Sequence, residues 1–314
     1  TMGGATIGIQ ANEADSEAAN GDEEFMAWGI SYAVSEDLSV SYNSSTIDYE
    51  TASIDDQEAT GISASYTMGS MTLAGVVNSI NNQGPGATGN TGFPLVKQLL
   101  ERGYSLRIIV RSSDKFPKEL LENSNLKIIQ ASLLDLTDKQ LQEALKGCGN
   151  VVSCLGHTMS FKGIFGEPRA LVLEAVKRLS NAIKVSRSSV KIKLLLMNTV
   201  GVRNPDEKTT KGERFVLYLL RNLIPPHYDN ESSAAFLRDE IGTENKFIEW
   251  VVIRPDGLIN AEISNYEIVA SPPRTIFNGL TTTRANVAHF ICELIEKKNL
   301  WSQWEGKMPV IFNK

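Results

Sequence analysis

The segment Gly86-Ala87-Thr88-Gly89-Asn90-Thr91-Gly92, followed by Phe93-Pro94-Leu95-Val96-Lys97-Gln98-Leu99-Leu100, reads as a tight turn feeding a helix. The first glycine allows the turn, and the second lets backbone approach a pyrophosphate. The third lets the helix pack close to a strand, while the helix N-terminus offers unpaired N–H groups to phosphates. A glycine triplet alone is weak evidence. This one gains weight from the hydrophobic strand Leu106-Arg107-Ile108-Ile109-Val110, at the right distance behind the helix. Upstream the pattern breaks. Where a first strand should run into Gly86 stands Asn81-Asn82-Gln83-Gly84-Pro85, a turn-forming string whose proline cannot donate to a sheet. The nearest apolar run, Leu73 to Val77, ends several residues too early.

Downstream, strands and helices alternate. Helices are predicted over Phe93–Arg102, Asp114–Glu122, Thr137–Leu145, Pro168–Ser186 and Phe215–Leu223, with Gly103 and Gly147 as stops. Strands are predicted over Leu106–Val110, Leu126–Gln130, Asn150–Cys154 and the almost solidly apolar Ile192–Met197. This succession predicts an α/β fold, a Rossmann-like doubly wound parallel sheet lacking a normal first strand.

The charge divides at the same place. Residues 1–85 hold 13 Asp or Glu and no Lys or Arg, a balance of -13, whereas residues 86–314 balance at +7. We therefore read two domains, 1–85 and 86–314. In the first, Met26, Trp28, Ile30, Tyr32 and Val34 alternate with small residues, and Ile62–Tyr66 pairs with Thr72–Val77 across Met68-Gly69-Ser70. That predicts antiparallel hairpins with long acidic connections, Asn12 to Glu24 and Ile47 to Gln57. The acidity argues against nucleic-acid binding there. Three scattered cysteines, Cys148, Cys154 and Cys292, predict free thiols in a reducing, cytoplasmic setting for residues 86–314. No metal spacing, signal peptide or helical membrane span is read.

Two resemblances follow. Alternating strands with acidic loops resemble a fragment of a bacterial outer-membrane porin, which would make the chain a fusion or chimera; an acidic soluble hairpin lobe is the other reading. Residues 86–314 resemble the NmrA-like, NAD(P)-binding group of atypical short-chain dehydrogenase/reductases, whose fingerprint is Gly-Ala-Thr-Gly-x-Thr-Gly. The resemblance implies that Gly86, Thr88, Gly89, Asn90, Thr91 and Gly92 hold the dinucleotide, with Asp135 near the adenine; Ser132 stands where the family usually has an acid. Asn198-Thr199-Val200-Gly201 matches Ser-Ser-x-Gly, Arg254-Pro255-Asp256-Gly257-Leu258 the loop after strand six, and Thr283-Arg284-Ala285-Asn286-Val287-Ala288 the late Arg-Ala-Asp-Val-Ala helix start.

Arg111 directly follows the second strand, where NAD-preferring enzymes hold an acid for the ribose hydroxyls. With Ser112 and Ser113 beside it, its guanidinium suits a 2'-phosphate, so NADP is the expected cofactor and NAD the alternative. Cys154-Leu155-Gly156-His157 ends the fourth strand over the crevice, its glycine allowing backbone against the nicotinamide ribose. His157 stands open between a substrate contact and a loop histidine without a role, and Cys154 reads as a packed thiol. The Ser and Tyr-x-x-x-Lys constellation of the wider family is absent. Thr199 is the candidate for the serine's role, and Tyr228, in a loop after Ile224-Pro225-Pro226-His227, the candidate substrate-side aromatic. Tyr218, followed by Asn222 in place of lysine, reads as a core or lid aromatic. The expectation is an NADPH-dependent reductase acting on a small carbonyl or conjugated substrate. The alternative is a non-enzymatic NAD(P) sensor with a protein partner.

Overall fold

A computed structural model of the protein describes residues 5–14, 23–33, 38–49, 57–68, 71–81, 91–113, 116–157, 164–186 and 190–314. These fall into two compact units, residues up to 81 and the described residues from 91 onward.

The first unit is a five-stranded antiparallel meander of β1 (Ala5–Ala14), β2 (Glu23–Ala33), β3 (Leu38–Tyr49), β4 (Gln57–Met68) and β5 (Met71–Asn81), in that spatial order. Ile9 lies opposite Trp28, and Ile30 opposite Tyr42, so the large side chains share one face and Ala27, Gly29 and Ser31 take the other. The large-residue face is exposed, with Ile9 78% and Met26 59% accessible. The second predicted hairpin is present, Tyr66 pairing Leu73 and Ile62 pairing Val77. The sheet is larger than the alternation predicts. Ala5–Ala14 is a strand, and β3 runs on through Ile47 and Asp48, predicted as loop, because Asp48 pairs Glu24 on one side and Ile47 pairs Gln57 on the other. Cross-strand pairing here overrides local polarity. The turn residues Ser35, Glu36, Asp37, Gly69 and Ser70 lie outside the described residues.

In the second unit the central sheet runs β12 (Tyr266–Val269), β14 (Val310–Asn313), β10 (Ile248–Pro255), β9 (Ile192–Met197) and β8 (Asn150–Ser153). β8, β9, β10 and β14 are parallel, and β12 joins antiparallel at the edge. Two short parallel pairs accompany it, β6 (Leu106–Val110) with β7 (Leu126–Gln130), and β11 (Gly257–Ile259) with β13 (Thr281–Thr283). Both faces are covered, as near-continuous apolar strands require. Leu194, Leu196, Trp250 and Val252 pack against α3 (Asp138–Leu145), α4 (Leu171–Ser186) and the π-helical turn Phe236–Ile241. Their neighbours Leu195, Val251 and Ile253 face the other way, onto α1 (Gly92–Glu101), α7 (Arg284–Glu296) and α8 (Lys298–Trp304). This is the Rossmann-like α/β arrangement, with successive strand residues feeding two separate cores.

Helix boundaries follow local chemistry. Thr137 and Thr210 each close a capping box, with Gln140 and Glu213 respectively. Gly103 and Gly147 take φ of 81° and 76° just past α1 and α3, the left-handed conformation that glycine adopts without strain. The short α2 (Lys118–Leu121) is smaller than predicted, and Asp114 and Lys115 lie outside the described residues. α5 (Lys211–Leu223) begins earlier than Phe215 because Thr210 caps it. Pro225–Ala235, expected to start as a loop, is helix α6: two prolines in a first turn cost no hydrogen bond and preset φ.

Among the described residues, no strand lies at the first-strand position. Among the described residues β6 pairs with β7 and no other strand, and β8 pairs with β9 and no other strand. A doubly wound sheet of this order has its first strand between those two. β5, which holds the nearest apolar run upstream, pairs with β4 and, among the described residues, with no other strand.

Candidate functional site

Four motif glycine-loop residues, Gly86, Thr88, Gly89 and Asn90, lie outside the described residues. Thr91 and Gly92 open α1, whose N-terminus has no side-chain cap and no acid in its first turn. Such an end has N–H groups to give and suits an anion. Phe93 in that first turn meets Phe116 edge-on, ring centroids 6.3 Å apart, which holds the loop after β6 against the start of α1. That loop carries Arg111, exposed and with no ion pair among the described residues. Ser112 is half-buried, and Ser113 donates its hydroxyl to Gln130 at 3.2 Å. Asp135 is exposed after β7. Past β8 come Cys154, Leu155 and Gly156. Among the described residues, a Cβ on Gly156 would meet no atom within 4 Å, so their packing does not require that glycine. An uncapped helix start, an unpaired guanidinium and an open glycine fit a phosphate-bearing dinucleotide.

A cavity of about 410 Å³ opens at the carboxyl ends of β9 and β10, within the size range of small-molecule sites. Thr199 lines it. Its hydroxyl oxygen accepts the Gly201 N–H at 3.3 Å, leaving the O–H proton to be donated elsewhere. Asn198 anchors the strand end to α6, donating to the Asn230 carbonyl at 3.0 Å and the Ser233 hydroxyl at 3.3 Å. His227, near the start of α6, packs so close to Gly201 that a Cβ there would sit 3.3 Å from the imidazole ring. The loop after Gly201 is fixed from below. Arg254, fully buried, donates to both Glu207 carboxylate oxygens and to the carbonyls of Val202, Ala270 and Met308. Arg203 of that loop lines the cavity and donates to Glu213 at 3.0 Å. Burial raises the Glu213 carboxyl, but the N–H groups of Thr210 and Ile276, the Thr210 hydroxyl and the Arg203 charge outweigh it and hold it below the usual range.

Of the residues expected on the substrate side, the structure places Thr199 in the cavity wall. Tyr228 is 51% exposed on α6, under the Arg221 guanidinium at 5.7 Å, and is not part of that wall. Tyr218 is 63% exposed, so it is not a core aromatic; α5 turns Leu217 and Leu220 to the cavity and leaves Tyr218 outward. His157 is neither loop surface nor cavity wall. It is buried, its Nε2 2.8 Å from Asp229 Oδ2, and Asp229 also accepts the N–H groups of Val172 and Leu173 at the start of α4. Burial pushes the Cys154 thiol up to about 12, which keeps it protonated and unreactive at neutral pH. Sequence reading missed Arg203, His227, Asp229 and Arg274. Only His227 stood in a quoted stretch; the rest are joined to the site by folding, His157 and Asp229 lying 72 residues apart.

A sequence model described as NAD(P)H-binding matches residues 86–298. An Arabidopsis thaliana protein, described as uncharacterized and chloroplastic, is 26% identical over 195 residues, or 62% of this chain and 64% of that protein. The chain thus spans less than two thirds of that relative. A solved structure from Lactobacillus casei shares the fold at TM-score 0.54 and 16% identity, covering 72% of this chain and 95% of that one. A Streptococcus pneumoniae protein, provisionally described as an NADH-flavin reductase, aligns at TM-score 0.49 and 17% identity over 72% of this chain and 95% of that one. Among the described residues no helix is long and apolar enough to cross a membrane.

Proposed function

Because the chain belongs to the NAD(P)H-binding family, we propose that residues 86–314 form an NADP(H)-dependent reductase for a small carbonyl or conjugated substrate held in the cavity at the ends of β9 and β10. The observation that carries this reading is Thr199, a hydroxyl with a free proton in the wall of a cavity at the carboxyl end of a parallel sheet, where such folds bind ligands. When bound, the nicotinamide supplies a hydride from its C4 and leaves oxidised. Thr199 donates to the substrate oxygen, which takes up charge as the carbonyl π-bond breaks, and solvent supplies the proton that completes the alcohol. Arg111 would hold the 2'-phosphate, and the start of α1 the pyrophosphate, when the dinucleotide is bound.

The preference for NADPH is tested by calorimetric titration of both nucleotides into wild type and Arg111→Ala. One charge-assisted contact is worth about 1.5–3 kcal/mol, so NADPH should bind at least about tenfold tighter than NADH, and the variant should lose that margin. Equal wild-type affinities, or an unchanged margin in the variant, would sink the assignment. NADPH consumption with quinones, flavins and aldehydes tests the chemistry; tight binding without turnover favours a nucleotide sensor.

For residues 1–85 we propose a porin-like origin, joined to an unrelated domain. Strands of 10 to 12 residues suit a tilted membrane crossing, and the large apolar side chains of β1 and β2 are exposed. Sequencing genomic DNA and transcript across residues 80–90 tests the junction.

A further inference from the structure

The cavity beside Thr199 sets two guanidinium groups, Arg203 and Arg274, against one carboxylate. Its carboxylate, Asp256, is already engaged: Oδ1 accepts the Gly257 N–H at 2.9 Å and Oδ2 the Leu280 N–H at 2.8 Å. The donors are in the opposite state. Arg274 lines the cavity with no hydrogen bond or ion pair among the described residues. Arg203 gives one amino group to Glu213, yet its Nε is buried with no hydrogen-bond partner. A buried donor without an acceptor costs stability unless something is bound against it.

Around these donors the wall is apolar, formed by Val200, Leu217, Leu220, Leu258 and Ile276. We infer that the cavity takes a ligand with one carboxylate on an apolar body, the carboxylate lying against Arg203 and Arg274 and the body against the two leucines of α5. A carboxylate supplies two acceptor oxygens and matches a guanidinium fork in plane and spacing. The site is also prepared in advance. The Arg254–Glu207 pair fixes the loop that carries Arg203, and Glu213 orients the guanidinium from behind. This deepens the reductase reading by naming the substrate class.

Calorimetry on the full chain without nucleotide tests it, using benzoate, trans-cinnamate and 4-hydroxyphenylpyruvate with the matched amides. At least one acid should bind about tenfold or more tightly than its amide, and Arg274→Gln should erase that margin. Arg203→Gln should do the same; Arg274 is exposed, so its variant keeps the test available if the buried arginine is needed for folding. No saturable binding of any acid, equal binding of acids and amides, or a margin that survives in Arg274→Gln overturns the inference. Any of these alongside tight NADPH binding leaves the reductase reading in place. Acid binding in a protein that takes no nucleotide overturns the reductase reading alone.

Discussion

Asp229, 1% exposed, holds three donors on two oxygens: the Val172 N–H at 2.7 Å, the Leu173 N–H at 2.9 Å and His157 Nε2 at 2.8 Å. It thus ties three segments together: the chain leaving β8, the start of α4, and α6, whose first turn brings His227 to the cavity. In Asp229→Asn, one acceptor becomes an amide nitrogen that must face a donor. The loss of a buried, charge-assisted bond costs about 2–3 kcal/mol, which for a domain of this size lowers Tm by about 5–10 °C. Thermal unfolding followed by circular dichroism measures it, and an unchanged Tm would show that the three bonds contribute nothing net. Arg254 makes the complementary point. Quoted as part of a loop motif, it is a fully buried strand residue whose donors are spent on the Glu207 carboxylate and three carbonyls, so it supports the site without touching a ligand. Thr199, by contrast, keeps a hydroxyl proton to give.

Elements α7 and β12 meet through Tyr266, whose hydroxyl lies 2.8 Å from His289 Nδ1. Burial lowers the His289 pKa, with Arg102 and Lys297 adding to it against Glu293 and Glu296, so folding favours the neutral imidazole that accepts the Tyr266 proton. A base whose folded pKa lies below its unfolded value contributes stability above that unfolded value, about 6.5, and loses it as pH falls through the folded one. Tm should therefore drop on acidification below about pH 6.5, and less steeply in His289→Gln. Parallel curves for the two proteins would assign the drop elsewhere. At this scale much was legible. Leu106–Val110, Leu126–Gln130 and Ile192–Met197 occur as predicted, because each is a short run dominated by branched aliphatic side chains, which suit a pleated strand. α6 was not legible, since Pro225-Pro226-His227 looks like a turn until the prolines are seen to occupy a first helical turn. Of the cavity wall, the part written in consecutive residues, Asn198 to Gly201 with Thr199, was readable. Arg203, His227 and Arg274 converge only through the packing of α5, α6 and the segment before β13, which no local pattern encodes.

Across the whole domain, the break between β6 and β8 is the feature with the widest consequence. In a parallel ladder a residue aims its N–H and C=O to one side, and the next residue aims both to the other. Leu106 donates to the Asn125 carbonyl and Val110 accepts from Ala131, so Leu106, Ile108 and Val110 face β7. Arg107 and Ile109 therefore turn their N–H and C=O groups toward the first-strand position. On the far side, the Gly149 carbonyl accepts from Lys193, so Val151 and Ser153 face β9, and Asn150 and Val152 turn back to the same gap. None of these four N–H groups has a hydrogen-bond partner among the described residues. Groups of this kind are stable only when water or another chain segment satisfies them. Hydrogen exchange resolved at single amides should then alternate: Arg107, Ile109, Asn150 and Val152 exchanging about a hundredfold or more faster than Ile108, Val110 and Val151, a difference of about 2.7 kcal/mol in protection. Uniform slow exchange along β6 and β8 would mean that a strand occupies the position and that the sheet is continuous. A chain with five or six β-branched residues placed directly before Gly86 should then convert the alternating pattern into the uniform one and tighten NADPH binding, because a strand running straight into the glycine loop anchors it. Repair of the exchange pattern without any gain in nucleotide affinity would show that the glycine loop holds its phosphate geometry without a strand behind it.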